Sequence, residues 1–184
     1  MEKVVIFGST GNTGVCAVEA AVQKGLNVRA FVRDPSKLPD HLRDSVEVVK
    51  GDVLITPTFI MPLKMSPRLL WFWELAMKDL NVEIVSVCLS AFLFCEPEKV
   101  PQIFCKLNAD HQRQFDAVKS SGLKYIAIFP PHIADKPSGT CEVEHDKLPP
   151  GTMIVSKYDL GKFLINCLTQ PEHYGKTCGI ITKY

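Results

Sequence analysis

The chain has 184 residues, of which 46% are hydrophobic and 22% are charged, and its formal net charge is +1 at pH 7. This length suits one domain, or one domain with a small lobe, and allows a substantial core. Scattered lysines and arginines give no basic face for nucleic acid. The apolar run at 69–73 is too short to cross a bilayer. We therefore expect a protein that binds neither nucleic acid nor membrane.

The cysteines indicate a reducing location. There are seven of them, an odd number, and no two form a C-x-x-C pair. This pattern argues against a disulfide scaffold and against a zinc site, so we expect no metal. The chain also enters its first predicted strand without a signal-peptide pattern. A cytoplasmic protein is expected.

In chain order, short β-rich runs alternate with helical stretches, which is typical of βαβ units on a parallel sheet. Strands are predicted at 4–7, 28–32, 46–49, 82–88 and 125–129, and helices at 13–23, 67–79, 109–120 and 157–168. Prolines and glycines predict a loop or a small lobe at 135–151. Between 53 and 82 the chain is too short and too proline-rich for the usual helix, strand and second helix. The fourth strand is therefore expected to be missing or degenerate.

A glycine-rich turn follows the first predicted strand, with the sequence GSTGNTG at 8–14. Gly8 permits a tight turn, Gly11 lets the backbone approach a phosphate, and Gly14 lets the next helix lie close to the strand. The free N–H groups at the start of that helix would then face a pyrophosphate. The alternative is an ordinary strand–helix turn. The pattern predicts a dinucleotide-binding domain of Rossmann type, with one doubly wound parallel sheet spanning residues 1–184.

The residues after the second predicted strand bear on the choice between the two nicotinamide dinucleotides. Arg33 can grip a 2′-phosphate, Lys37 adds positive charge, and Ser36 can donate a hydrogen bond from its hydroxyl. Asp34 could instead accept from a ribose hydroxyl, although it falls one residue late for that role. Arg33 could also be an ordinary solvated charge. The pattern favours NADP(H) over NAD(H).

These motifs resemble a known family. The segments 4–14, 31–34 and 51–53 look like the atypical short-chain dehydrogenase-like, NAD(P)-binding proteins. The flavin reductase (NADPH), or biliverdin-IXβ reductase, branch of that family is similar at 90–93, 99–101, 121–125, 130–133 and 156–161. The likeness covers about 1–53 and 75–170. It implies a monomeric, NADPH-dependent reductase of flavins, notably FMN, and of linear tetrapyrroles such as biliverdin.

The resemblance also implies roles for matching residues in holding the cofactor. Arg33 would bind the 2′-phosphate, and Asp52 and Val53 would contact the adenine. Family members carry arginine where this chain has Lys37, which keeps the charge and loses the fork of donors. The residues that match the pyrophosphate site are Gly8, Thr10, Gly11, Asn12, Thr13 and Gly14.

At the substrate end, Ser90 and His132 match the family pair that lines the cleft and are the expected catalytic residues. From the residues alone, Ser90 could equally be a turn or capping serine and His132 a surface histidine. Phe92, Leu93 and Phe94 could wall a pocket for a flat ligand, although core packing explains them nearly as well. By the same resemblance, Cys88 and Cys167 match two cysteines linked to nitrosothiol transfer.

Two further features of the sequence bear on whether the chain is an active reductase and on which residues would be catalytic. Residues 54–74 lack the Leu-Gly-Thr turn that family members place near the nicotinamide, so a non-catalytic NADP(H)-binding or regulatory protein is the alternative. Tyr158 and Lys162 form a Y-x-x-x-K pattern, which typical short-chain dehydrogenases use to protonate a carbonyl. It lies after the fifth predicted strand rather than the fourth. We expect it to be only the start of a late helix capped by Ser156.

Overall fold

The computed structural model describes residues 3–51 and 84–184, which belong to two compact units, Met1–Val82 and Glu83–Tyr184. The helix predicted at 67–79 and the segment expected to lack a strand lie outside the described residues. All seven cysteines are free thiols. Within the described ranges, no helix is both long enough and apolar enough to span a membrane.

The first unit holds a three-stranded parallel sheet in the order β1 (Lys3–Phe7), β2 (Asn27–Val32) and β3 (Glu47–Lys50). Helix α1 (Asn12–Gln23) links β1 to β2, and the short helix α2 (Asp40–Arg43) precedes β3. The buried face of α1 is made of small side chains, which allow a helix to pack closely on a sheet. They are Cys16, Ala17, Val18, Ala20 and Ala21.

The second unit contains more elements. In chain order they are β4 (Ile84–Cys88), α3 (Cys105–Ser120), β5 (Lys124–Phe129), β6 (His132–Ala134), β7 (Thr140–His145), β8 (Ile154–Ser156), α4 (Lys157–Asn166) and β9 (Lys176–Lys183). Its main sheet has the order β4-β5-β9-β7, and β6 pairs with β8 in a separate two-stranded sheet. All these pairs are parallel except β7 with β9.

Strand β5 is buried on both faces, as expected for the centre of an α/β sheet. On one face, Ile126 and Ile128 join a core cluster that includes Leu160 and Phe163 of α4. On the other face, Phe129 packs edge-on against Phe115 of α3. Helices therefore cover both faces of this sheet. With the parallel βαβ arrangement of the first unit, this confirms the predicted Rossmann-type α/β class.

Four strands of the second unit were not predicted: the three-residue strands β6 and β8, and the longer strands β7 and β9. The 135–151 segment, expected to be a loop or a small lobe, contains β7, whose antiparallel pairing also departs from an all-parallel sheet. Strand β9 was missed because Gly179 interrupts its β-rich sequence, and an internal glycine weakens a strand signal. The glycine is required there, since a Cβ at Gly179 would lie 2.0 Å from the carbonyl oxygen of Lys147.

Candidate functional site

The glycine-rich turn has the conformation expected of a phosphate-binding turn. Gly8 has a positive φ of 69°, and the amide of Gly11 donates to the carbonyl of Gly8 at 2.8 Å. A Cβ at Gly14 would lie 2.0 Å from the Gly8 oxygen, so α1 can begin this close to β1 only with glycine at that position. The buried hydroxyl of Ser9 donates to the Ile6 carbonyl at 2.5 Å, and this hydrogen bond stabilises the turn against the end of β1.

The start of α1 is left available to an anion. Gly11 is the N-cap residue and supplies no side-chain acceptor, and the first turn contains no acidic residue. The first amides of a helix have no partner within the helix and lie at the positive end of its dipole. Gly8, Gly11 and Asn12 are exposed, and Thr10 and Thr13 are partly exposed. This end of the helix can therefore receive a phosphate from solvent.

The ends of β2 and β3 lie beside this turn because all three strands are parallel and in register. Arg33 follows β2 directly, is exposed, and forms no hydrogen bond or ion pair with any residue that the structure describes. Lys37 lies in the next turn, and Lys50, which the sequence analysis did not select, ends β3 opposite Val32. The strand register places Lys50 beside Val32, the residue before Arg33. Three positively charged residues therefore follow or end neighbouring strands at this end of the sheet.

Asp34 and Ser36 are hydrogen-bonded to each other. The Asp34 carboxylate accepts from the Ser36 amide at 3.1 Å and from its hydroxyl at 2.7 Å, which caps the turn Pro35–Lys37. These hydrogen bonds, chiefly that of the hydroxyl, lower the pKa of Asp34. The Ser36 hydroxyl thus already donates its hydrogen bond to Asp34, and it would have to break that bond and rotate to donate to a cofactor. The other two cofactor residues of the sequence analysis, Asp52 and Val53, lie outside the described residues.

In the second unit, the two expected catalytic residues follow neighbouring parallel strands. Ser90 comes two residues after β4 and His132 three residues after β5, and Cys88 is in register with Ile128. Both residues therefore leave the same edge of the sheet, where ligands of α/β proteins bind. Ser90 Oγ accepts from the Phe92 amide at 3.2 Å and caps the turn Ala91–Phe94, and its own proton has no acceptor within 3–51 or 84–184. His132 is exposed.

The aromatic residues beside Ser90 divide into core and surface. Phe94 packs on the buried Phe129 with ring centroids 4.7 Å apart, and Leu93 joins the same cluster, so both belong to the core. Phe92 instead stacks on Phe104 at 4.9 Å with an angle of 28° between the rings. Phe104 remains 38% exposed. This pair, which sequence reasoning did not identify, offers a flat apolar surface to a ligand.

The two cysteines expected in nitrosothiol transfer have different surroundings. Cys88 is exposed at the end of β4, yet the protein around it limits its solvation and raises the pKa of its thiol to about 12. Cys167 is fully buried in the core cluster of the second unit, with its sulfur 3.5 Å from the Leu164 carbonyl. A reagent in solution therefore reaches Cys88 before Cys167, and meets a protonated thiol there.

The Y-x-x-x-K pattern begins in the first turn of α4, and Ser156 caps the helix as predicted by accepting from the Tyr158 amide at 3.2 Å. Lys162 donates to Ser138 at 3.1 Å. The neighbouring Asp159 is buried and accepts from Thr182 at 2.8 Å and from the Gly139 amide at 3.1 Å. The start of this helix thus anchors the segment before β7 to β9.

Comparison with known proteins agrees with this geometry. A profile described as NAD(P)H-binding matches residues 8–59 and 76–171. The chain belongs to this NAD(P)H-binding family. The match includes the glycine turn, Arg33, Ser90 and His132 and leaves out residues 60–75.

Solved structures with the same fold carry different functional descriptions. A protein from Bacillus halodurans, provisionally an NAD-dependent epimerase/dehydratase, has a TM-score of 0.79 at 16% identity and covers 100% of this chain and 95% of its own. A provisional NADH-flavin reductase from Streptococcus pneumoniae has a TM-score of 0.71 at 17% identity, covering 100% of both chains. A short-chain dehydrogenase/reductase from Veillonella parvula, solved with NADP, has a TM-score of 0.68 at 14% identity, covering 100% and 97%.

Proposed function

We propose that this NAD(P)H-binding protein is an NADPH-dependent reductase that transfers a hydride to flavins such as FMN and to linear tetrapyrroles of the biliverdin type. The observation that carries the proposal is the exposed guanidinium of Arg33, which has no partner among the described residues. It follows the strand whose end lies near the adenosine ribose in this fold. An arginine fork binds phosphate through two hydrogen bonds, and Lys37 and Lys50 add charge.

The reaction requires little general acid–base catalysis by side chains of the protein. When NADPH is bound, its nicotinamide ring supplies the hydride, and solvent can supply the accompanying proton. The chain binds and orients the acceptor. The Phe92–Phe104 stack provides a flat surface for a conjugated ring, and the Ser90 hydroxyl beside it can donate a hydrogen bond. The exposed imidazole of His132 suits the phosphate of FMN or a propionate of a tetrapyrrole.

A non-catalytic NADP(H)-binding protein is the second candidate. One observation favours it: the family profile skips residues 60–75, the same region in which the sequence lacks the Leu-Gly-Thr turn of the reductases. In that case the pyrophosphate and 2′-phosphate contacts survive, because they lie in residues 8–37. Placement of the nicotinamide ring would be lost, so the protein would bind NADPH without passing on its hydride.

Oxidation of NADPH in the presence of excess FMN, followed by the loss of its absorbance, tests the reductase. We expect turnover with NADPH and much slower turnover with NADH at the same concentration. Biliverdin in place of FMN tests the tetrapyrrole substrate. NADPH binding to a folded sample that shows no turnover would contradict the reductase and leave the second candidate.

Replacing Arg33 by glutamine tests the cofactor assignment separately. A hydrogen bond to a charged group contributes about 1.5–3 kcal/mol, so the KM for NADPH should rise roughly 10- to 150-fold. The KM for NADH should stay within twofold, because NADH lacks the 2′-phosphate. Arg113→Gln is the matched control: that arginine lies on α3 and pairs with Asp110, and its loss should change neither KM. Equal effects of Arg33→Gln on both cofactors would refute the assignment.

A further inference from the structure

Three metal-ligating side chains, none of them assigned to the reductase, meet at the end of the β7–β9 ribbon. His145 ends β7 and is the register partner of Cys178 on β9. Directly paired residues of antiparallel strands project to the same face of the sheet, so these two side chains are neighbours. His173 lies in the short turn Pro171–His173 that precedes β9. The three residues come from separate elements and converge only in the folded chain.

Their ligating atoms face one another. His145 Nε2 lies 2.9 Å from His173 Nδ1, and Cys178 Sγ lies 3.8 Å from the same nitrogen. All three atoms fall within 4.8 Å of one another. A neutral imidazole nitrogen has either one proton or one lone pair, so His173 Nδ1 cannot serve both neighbours equally well by hydrogen bonding. A cation at the centre of the three atoms would accept a lone pair from each.

We propose that His145, His173 and Cys178 form a zinc site. Tetrahedral bond lengths of about 2.0 Å for Zn–N and about 2.3 Å for Zn–S require ligand atoms about 3.3–3.6 Å apart. The three atoms reach this spacing with shifts of about 1 Å or less. Two imidazoles and a thiolate suit Zn²⁺ and exclude Mg²⁺ and Ca²⁺, which prefer oxygen. The fourth position of the tetrahedron is left to water.

The surroundings suit a bound ion. Cys178 is buried in the core cluster of the second unit, and the Phe163 ring packs edge-on against His173 with centroids 5.2 Å apart. Fixed ligand orientation of this kind favours metal binding. On binding, the S–H bond of Cys178 breaks, a Zn–S bond forms, and the proton passes to solvent. The zinc would tie β7, the turn and β9 together, and it would stabilise the second unit.

The sequence analysis did not identify this site. His173 and Cys178 form an H-x4-C pair, a spacing typical of zinc ligands, but the third ligand, His145, lies 28 residues before His173. The expectation that the protein binds no metal came from the lack of a C-x-x-C pair. That expectation considered cysteines alone, whereas two of the three ligands proposed here are histidines.

The test is metal binding by the full chain with its thiols reduced and with chelator removed. We expect one equivalent of Zn²⁺ to compete with a chromogenic indicator and Mg²⁺ to have no effect. Co²⁺ in place of zinc should give the intense visible bands of a tetrahedral ion and a thiolate-to-cobalt charge-transfer band. A hundredfold excess of Zn²⁺ over its dissociation constant should raise the melting temperature by about 5 °C.

Variants separate this site from adventitious binding. His145→Ala keeps the thiol and should weaken Zn²⁺ binding at least tenfold, whereas His41→Ala removes an imidazole that only pairs with Glu19 and should bind as the wild type does. Cys178→Ala should abolish the charge-transfer band, and Cys105→Ala, at an exposed cysteine, should retain it. Absence of stoichiometric zinc binding, an octahedral cobalt spectrum, or unchanged affinity in His145→Ala would each overturn the proposal.

Discussion

Replacing Gly14 by alanine tests whether the close approach of α1 to β1 builds the phosphate site. The added Cβ would lie 2.0 Å from the Gly8 oxygen, 2.8 Å from its carbonyl carbon and 3.2 Å from Ser9 Cα. These are backbone atoms, so no side chain can rotate away. Relief to an ordinary contact requires the helix and the turn to separate by about 1 Å or more. Overpacking of this kind destabilises a protein by about 1–3 kcal/mol.

The same separation moves the amides that would contact the pyrophosphate. Loss of one hydrogen bond to a charged group corresponds to about 1.5–3 kcal/mol, so NADPH should bind roughly 10- to 150-fold more weakly. Titration of NADPH fluorescence measures this affinity, and urea unfolding measures the accompanying loss of stability. Gly11→Ala, whose Cβ would lie 3.3 Å from the Gly8 oxygen, should give a smaller effect on both quantities.

Gly25→Ala is the matched control. Gly25 has a positive φ of 71°, and no atom of the described residues beyond its chain neighbours lies within 4 Å of the position of its Cβ, so alanine there is strained without a clash. It should destabilise the first unit by about 1–2 kcal/mol and leave NADPH affinity unchanged. The reasoning is refuted if Gly14→Ala binds NADPH within twofold of the wild type, or if Gly25→Ala weakens binding as much as Gly14→Ala does.

Three further outcomes are expected. Asp159→Ala leaves the buried hydroxyl of Thr182 and the Gly139 amide without their acceptor. Urea unfolding should therefore show that the free energy of unfolding falls by about 2–4 kcal/mol. A decrease below about 1 kcal/mol would contradict this role of Asp159. Tyr158→Phe should leave FMN-dependent NADPH oxidation within twofold of the wild type, because this tyrosine belongs to the first turn of α4 and has no catalytic role in the proposal. Cys88 alkylation should be far slower than that of free cysteine at pH 8 and should rise about tenfold per pH unit up to its pKa of about 12. Mass spectrometry of the Cys88 peptide measures that rate, and alkylation at the rate of free cysteine would disprove the raised pKa.

The sequence predicted the first unit well because its signals are local. A strand, a glycine turn and a helix are encoded within about twenty residues, and each glycine in the turn meets a steric demand of the backbone beside it. The place of Arg33 follows from the same locality, since it depends only on where β2 ends. The capping role of Ser156 also extends over a few residues and was predicted correctly.

The second unit was predicted less completely because its signals are distant in sequence. Strand β9 takes its place from β5 on one side and β7 on the other, and neither partner lies near it along the chain. The core role of Phe94, set against the exposed stack of Phe92 on Phe104, likewise depends on which face of the turn meets the sheet. The periodicity of hydrophobic residues within one segment does not indicate which distant segment will pack against it.

The α/β class, the dinucleotide-binding turn and the basic residue after β2 were all predictable from the sequence, because backbone sterics and charge at these positions are properties of neighbouring residues. Two pairings could be read only from the fold: Lys50 lies beside Val32, the residue before Arg33, and His145 lies beside Cys178. Both pairings depend on strand register, because register brings together side chains that the sequence keeps apart.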